Sequence, residues 1–94
     1  MNIILTVKDK TGREIILRKD RWSHILKHPE MANQQERIKE TLEKPYKIIE
    51  LESDKKVNFY FRYYKDSKQY LLVMARYLNG NGFIITSFYT DTIK

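Results

Sequence analysis

Apolar and polar positions alternate along much of this chain, and between residues 20 and 43 they recur at helical spacing instead. Residues 2–8 and 13–18 alternate or run apolar around Asp9-Lys10-Thr11-Gly12, which predicts an N-terminal hairpin with Gly12 in its turn. Asp20 reads as the N-cap of a helix running to about Lys27. Pro29 disfavours helical geometry at His28, so that helix is expected to stop there. A second helix is expected from Pro29-Glu30 to about Glu43, with Ile38 and Leu42 on its buried side and Pro45 past its end.

Four strands are predicted after it. They are Tyr46–Glu52, Val57–Tyr64, Gln69–Leu78 and Phe83–Thr90. The turns between them are Asp54-Lys55-Lys56, Lys65-Asp66-Ser67-Lys68 and Asn79-Gly80-Asn81-Gly82, the last a strong hairpin signal. Short turns imply an antiparallel meander. The expected class is therefore α+β in a single domain over residues 1–94: a hairpin (1–18), a helical segment (19–44) and a four-stranded antiparallel sheet (45–94) with the helices on one face. The open face is expected to carry Arg62.

Composition narrows the chemistry. There is no cysteine, so disulfides, thiolate metal sites and a thiol nucleophile are excluded. No apolar run approaches the ~20 residues needed to cross a bilayer, and Met1–Val7 has no basic region before its apolar stretch, so a cytoplasmic protein is expected. The net charge is +6, and it is uneven. Residues 1–54 hold 11 Lys/Arg against 10 Asp/Glu, while residues 55–94 hold 7 against 2. Basic charge draws phosphate and aromatic rings stack bases, although aromatics also fill strands and lysines keep loops solvated.

The only two histidines, His24 and His28, stand four apart, which on a helix is one face. As a pair they suit general base and general acid. Alternatively His24 is a half-buried helix residue and His28 an end cap. Zinc also suits that spacing. However, Ile25-Leu26-Lys27 between them lacks the glutamate of a zinc-protease motif, and Lys27 repels a cation, so no metal is expected. Arg62 and Arg76 lie inside apolar strands, where a guanidinium can hold a phosphate bidentately or simply pair with a carboxylate. Tyr60 and Tyr64 flank Arg62 on its face. Thr86, Ser87 and Tyr89 offer hydroxyls on the last strand. No glycine loop cradles phosphate, and the scattered acids argue against a two-metal nuclease. Phosphodiester chemistry without a metal or cofactor points to RNA, whose 2′-hydroxyl can attack the adjacent phosphate.

Three motifs in order, Trp22-Ser23-His24-Ile25-Leu26-Lys27-His28-Pro29-Glu30-Met31, Tyr60-Phe61-Arg62-Tyr63-Tyr64 and Ile84-Ile85-Thr86-Ser87-Phe88-Tyr89-Thr90-Asp91, resemble the phage-associated branch of the barnase/EndoU/colicin/RelE-like nuclease superfamily. The similarity runs from about Trp22 onward and leaves out the hairpin, residues 2–18. It implies a small metal-independent RNase, often a toxin neutralised by a small antitoxin protein. By that likeness His24, His28, Arg62, Thr86 and Tyr89 are the catalytic positions; Arg76, Tyr60, Tyr64 and Ser87, read from the strands themselves, are expected as substrate contacts. One histidine deprotonates the 2′-hydroxyl, and the other, or Tyr89, protonates the leaving oxygen. Arg62, with Arg76, holds the phosphate, and Thr86 fixes the phosphate or orients a histidine. The alternatives are a non-catalytic RNA-binding module and a protein-interaction domain.

Overall fold

The computed structural model describes residues 2–93, so Met1 and Lys94, the ends of the expected domain, lie outside the described residues. The elements in chain order are β1 (Ile3–Lys8), β2 (Glu14–Arg18), α1 (Lys19–Ile25), a 3-10 turn (Pro29–Met31), α2 (Gln35–Glu43), β3 (Lys47–Leu51), β4 (Asp54–Tyr64), β5 (Gln69–Tyr77) and β6 (Asn81–Thr90). The α+β class and the four-strand meander agree with the sequence reading.

The hairpin is not a separate feature. All six strands form one sheet in the order β1-β2-β6-β5-β4-β3. Every pairing is antiparallel except β2 with β6, which runs parallel from Glu14↔Asn81 to Ile16↔Phe83. The expected four-stranded antiparallel sheet is therefore corrected to a six-stranded mixed one. The physical reason is burial. Val7, Ile15 and Leu17 are all buried, and a free two-stranded hairpin has no core in which to bury them. Docking β2 on β6 places them in the same core as Ile25, Met31, Ile38 and Leu42 from the helices.

The hairpin is tied down through one buried carboxylate. Asp9 is only 5% exposed. Its Oδ1 accepts from the Thr11 N–H (2.9 Å), the Thr11 hydroxyl (2.7 Å) and the Arg13 N–H (2.9 Å). Its Oδ2 accepts from the Tyr60 hydroxyl and, at 3.2 Å, from the Tyr77 hydroxyl. The next residue's N–H, Lys10, donates to the Leu42 carbonyl at the end of α2 (3.0 Å).

The first helix starts and ends about two residues earlier than expected, and the second is shorter. Asp20 is not the cap: Arg18 takes that position with extended backbone and no side-chain cap bond, and Asp20 sits in the first turn. The second helix does not run unbroken from residue 30. The 3-10 turn buries Met31, and Asn33 then adopts φ 63°, a left-handed geometry that asparagine tolerates, before α2 begins.

The two faces of the sheet are also exchanged relative to expectation. Tyr60, Arg62 and Tyr64 face the helices, while Phe59, Phe61 and Tyr63 face the side without helices. Alternation tells which residues share a face but not which face is covered, and here both sets are largely aromatic. In β6 an extra residue, Ile85, falls between Ile84 (opposite Ala75) and Thr86 (opposite Met74). This bulge turns Thr86, Phe88 and Thr90 to the helix-free side and Ser87 and Tyr89 to the core side.

Gly82 owes its place to close packing. It sits in β6 between β2 and β5, opposite Ile15 and Tyr77. A Cβ there would lie 2.5 Å from the Arg76 carbonyl oxygen and 3.2 Å from Ile15. Gly82→Ala is expected to cost about 1–3 kcal/mol in a thermal or urea melt, because backbone must move to admit the methyl. Gly80→Ala meets no such clash and acts only through its φ of 77°.

Candidate functional site

The α1 helix ends at Ile25, which separates the two histidines. His24 is exposed in the last helical turn. His28 lies beyond it at φ −91°, ψ 104°, the extended geometry that a following proline requires. Their four-residue spacing therefore does not place them on one helical face, contrary to the sequence expectation. Neither imidazole has a hydrogen-bond or ion-pair partner among the described residues. His28 instead packs its ring on Phe88, centroids 5.6 Å apart and planes 38° apart.

Phe88 leads to the helix-free face. It pairs with Leu72, which pairs with Phe61. These side chains, with Phe59, Thr90, Glu50 and Glu52, line a groove of about 530 Å³. Thr86 lies two residues before Phe88 on the same face, about 7 Å along the strand. Arg76 is on that face too, opposite Phe83, but its guanidinium holds the Asp54 carboxylate. That cation keeps Asp54 below its ordinary carboxylate range.

Arg62 and Tyr89 lie on the opposite face, against α2. The Arg62 Nη1 donates to the Lys44 carbonyl just past α2 (2.7 Å), and its Nε lies 3.4 Å from Glu40 without a hydrogen bond of its own. It thus caps a helix end. The Tyr64 hydroxyl donates to Glu40 (2.6 Å). Arg37 lies 4.2 Å over the Tyr64 ring, donates to the Tyr89 hydroxyl (3.0 Å) and bonds Asp66 (2.8 Å). The Tyr89 hydroxyl donates to Gln34 (2.7 Å). Each of these side chains makes at least one hydrogen bond, with the Arg62 Nε left without one, so the cluster fastens α2 to the sheet. Arg37 went unnoticed in the sequence. Its spacing of three from both Gln34 and Glu40, on one face of α2, was the available signal.

The electrostatics agree with a hydrogen-bonded cluster. Burial, with the Glu40 bond, pushes the Tyr64 phenol up to about 12. The Tyr64 bond, aided by Arg62, holds Glu40 below its ordinary value, and Arg37 does the same for Asp66. Burial, with Asp9 nearby, takes Tyr77 to about 12 as well. Raised phenol values favour the neutral, folded form. The stability they supply is complete below pH 10 and fades as pH climbs through about 12. A spectrophotometric titration is expected to show one phenol ionising near pH 12 that Tyr64→Phe removes and another that Tyr77→Phe removes.

Two further sequence candidates are out of reach of a ligand in this structure. Tyr60 and Ser87 are both 0% exposed. Tyr60 donates to Asp9, and the Ser87 hydroxyl donates to the Leu72 carbonyl (2.7 Å). Among the described residues no three His, Asp or Glu side chains gather as metal ligands, and no helix is long and apolar enough to cross a membrane.

The sequence profile of the phage-Barnase-EndoU-ColicinE5/D-RelE like nuclease2 family matches residues 3–94. The chain belongs to that family. Its match begins in β1, so the hairpin is part of the shared domain, and the expectation that similarity starts near Trp22 is corrected. No curated protein and no solved structure matches the chain. Membership supports a nuclease function in general, and suggests an endonuclease.

Proposed function

We propose that the chain is a metal-independent RNA endonuclease whose substrate lies on the helix-free face of the sheet. The observation that carries this reading is the exposed His28 imidazole packed on Phe88, which in turn lines the aromatic groove. His28, with exposed His24 nearby in the chain, supplies the proton transfers. One imidazole takes the proton of the 2′-hydroxyl. The 2′-oxygen then bonds to phosphorus, the bond to the 5′-oxygen breaks, and an imidazolium returns a proton to that leaving oxygen. The products are a 2′,3′-cyclic phosphate and a 5′-hydroxyl. Thr86 offers a hydroxyl on the same face to position a phosphoryl oxygen. Arg76 reaches a phosphate only by releasing Asp54. In this reading Arg62, Tyr64 and Tyr89 act at a distance, by holding α2 in place.

Such an enzyme endangers the cytoplasm that makes it, so the proposal includes a toxin role with a small acidic antitoxin matched to the net charge of +6. The test is incubation with RNA in excess EDTA. Fragments bearing cyclic phosphate ends, with DNA of the same sequence intact, are expected. Cleavage that needs added magnesium contradicts the mechanism. The largely apolar lining, with Glu50 and Glu52 in it, favours one second reading, a protein-binding face without catalysis. It predicts no RNA cleavage under any ionic condition.

A further inference from the structure

A pocket of about 300 Å³ lies where the β5–β6 turn meets Arg13 and the start of β4. Its lining includes Arg13, Lys55, Lys56, Tyr77, Asn79 and Gly80, and no acidic side chain. Arg13 is held in place. Its guanidinium lies 3.9 Å over the Tyr77 ring. Its N–H donates to Asp9 Oδ1, and its carbonyl accepts from the Asp9 N–H, each at 2.9 Å. The Tyr77 hydroxyl donates to the same carboxylate. Buried Asp9 thus fixes both the ring and the backbone that carries the cation.

Arg18, Arg37, Arg62 and Arg76 each sit beside a carboxylate. Arg13, Lys55 and Lys56 form no ion pair among the described residues. Asp54, just before the lysines, is taken up by Arg76 and the Lys56 N–H. Glu14, just after Arg13, does not line the pocket. Stacking occupies the flat face of the guanidinium and leaves its N–H edge for an acceptor.

We propose that this pocket is a docking subsite for a phosphate of single-stranded RNA, remote from the point of cleavage. The proposal rests on the RNA reading above. Three cations without an ion pair among the described residues, in a lining that carries no acidic side chain, select an anion, and the fixed guanidinium fork suits a phosphodiester. The position selects a chain of phosphates. Strand β6 leads from this pocket to the groove, and Gly80 and Phe88 are eight residues apart, roughly 25 Å. A strand several nucleotides long occupies both places, and a very short one does not.

The experiment measures binding of 2′-O-methyl oligonucleotides, which lack the attacking hydroxyl, at about three and about twelve nucleotides. Arg13→Gln is expected to weaken the long strand about tenfold and to lower its salt slope by about 0.7, one phosphate contact. The short strand should change less than about twofold. The double variant Lys55→Gln/Lys56→Gln leaves the Tyr77 stack intact and should show the same length-selective loss. Lys65→Gln, in the turn at the other end of β4 and β5, is the control. A loss no larger than that of the control, or equal for both lengths, overturns the subsite. Cleavage of a long RNA in excess EDTA is a separate readout. Its absence in the wild type refutes the nuclease reading, whereas length-selective binding through Arg13 would still stand.

Discussion

His28→Ala is expected to lower RNA cleavage by about 10²–10⁴-fold, the usual contribution of a positioned proton-transfer group. The fold should survive the change, because the imidazole is exposed and makes no hydrogen bond or ion pair among the described residues. Binding of an uncleavable oligonucleotide should stay within a few-fold of wild type. Initial rates on a labelled RNA, measured beside a binding titration and a thermal melt, separate the three effects. Arg62→Ala should behave differently. It removes the bond to the Lys44 carbonyl and the charge beside Glu40, so its loss of rate should come with a lower melting temperature. A His28→Ala enzyme that cuts at the wild-type rate removes the imidazole from the mechanism.

Asp9→Ala is expected to destabilise the fold by about 3–5 kcal/mol, because it strips a buried carboxylate from five hydrogen-bond donors at once. The Tyr60 and Tyr77 hydroxyls would be left buried without their acceptor. Domains of this size hold only about 5–14 kcal/mol in total, so the melting temperature should fall by on the order of 20 °C. Lys8→Ala, one residue earlier and exposed, should change it by little. A small shift for Asp9→Ala would mean that the hairpin is anchored by apolar burial alone.

The part of this architecture that was legible in the sequence rests on period and on turn chemistry. The strand around Val57–Tyr64, the turn at Asn79-Gly80 and the buried side of α2 all follow from spacing along the chain. Three things did not follow, each for a physical reason. The parallel pairing of β2 with β6 joins residues nearly seventy apart, and no local pattern encodes it. The side on which Arg62 lies depended on which of two aromatic faces the helices cover, and alternation is blind to that choice. The separation of His24 from His28 depended on where α1 stops, which a proline five residues after His24 signals only approximately. The bland alternatives weighed for the arginines hold in the structure: Arg62 sits beside Glu40 and Arg76 pairs with Asp54. Thr86, on the same strand face as Phe88, kept the position read for it from alternation. Asp9 looked like an ordinary turn residue, and its burial is a tertiary fact that appears only once β4 and β5 bring Tyr60 and Tyr77 to it.

The account depends on where the substrate sits. An NMR titration of labelled protein with an uncleavable 2′-O-methyl oligonucleotide locates it residue by residue. The predicted result is a contiguous set of shifts on the helix-free face, taking in the His28 ring, Thr86, Phe88 and Thr90, with Tyr60 and Ser87 unmoved. Shifts confined to the outer surface of α2, or no response at His28 while the strand is bound, would contradict it.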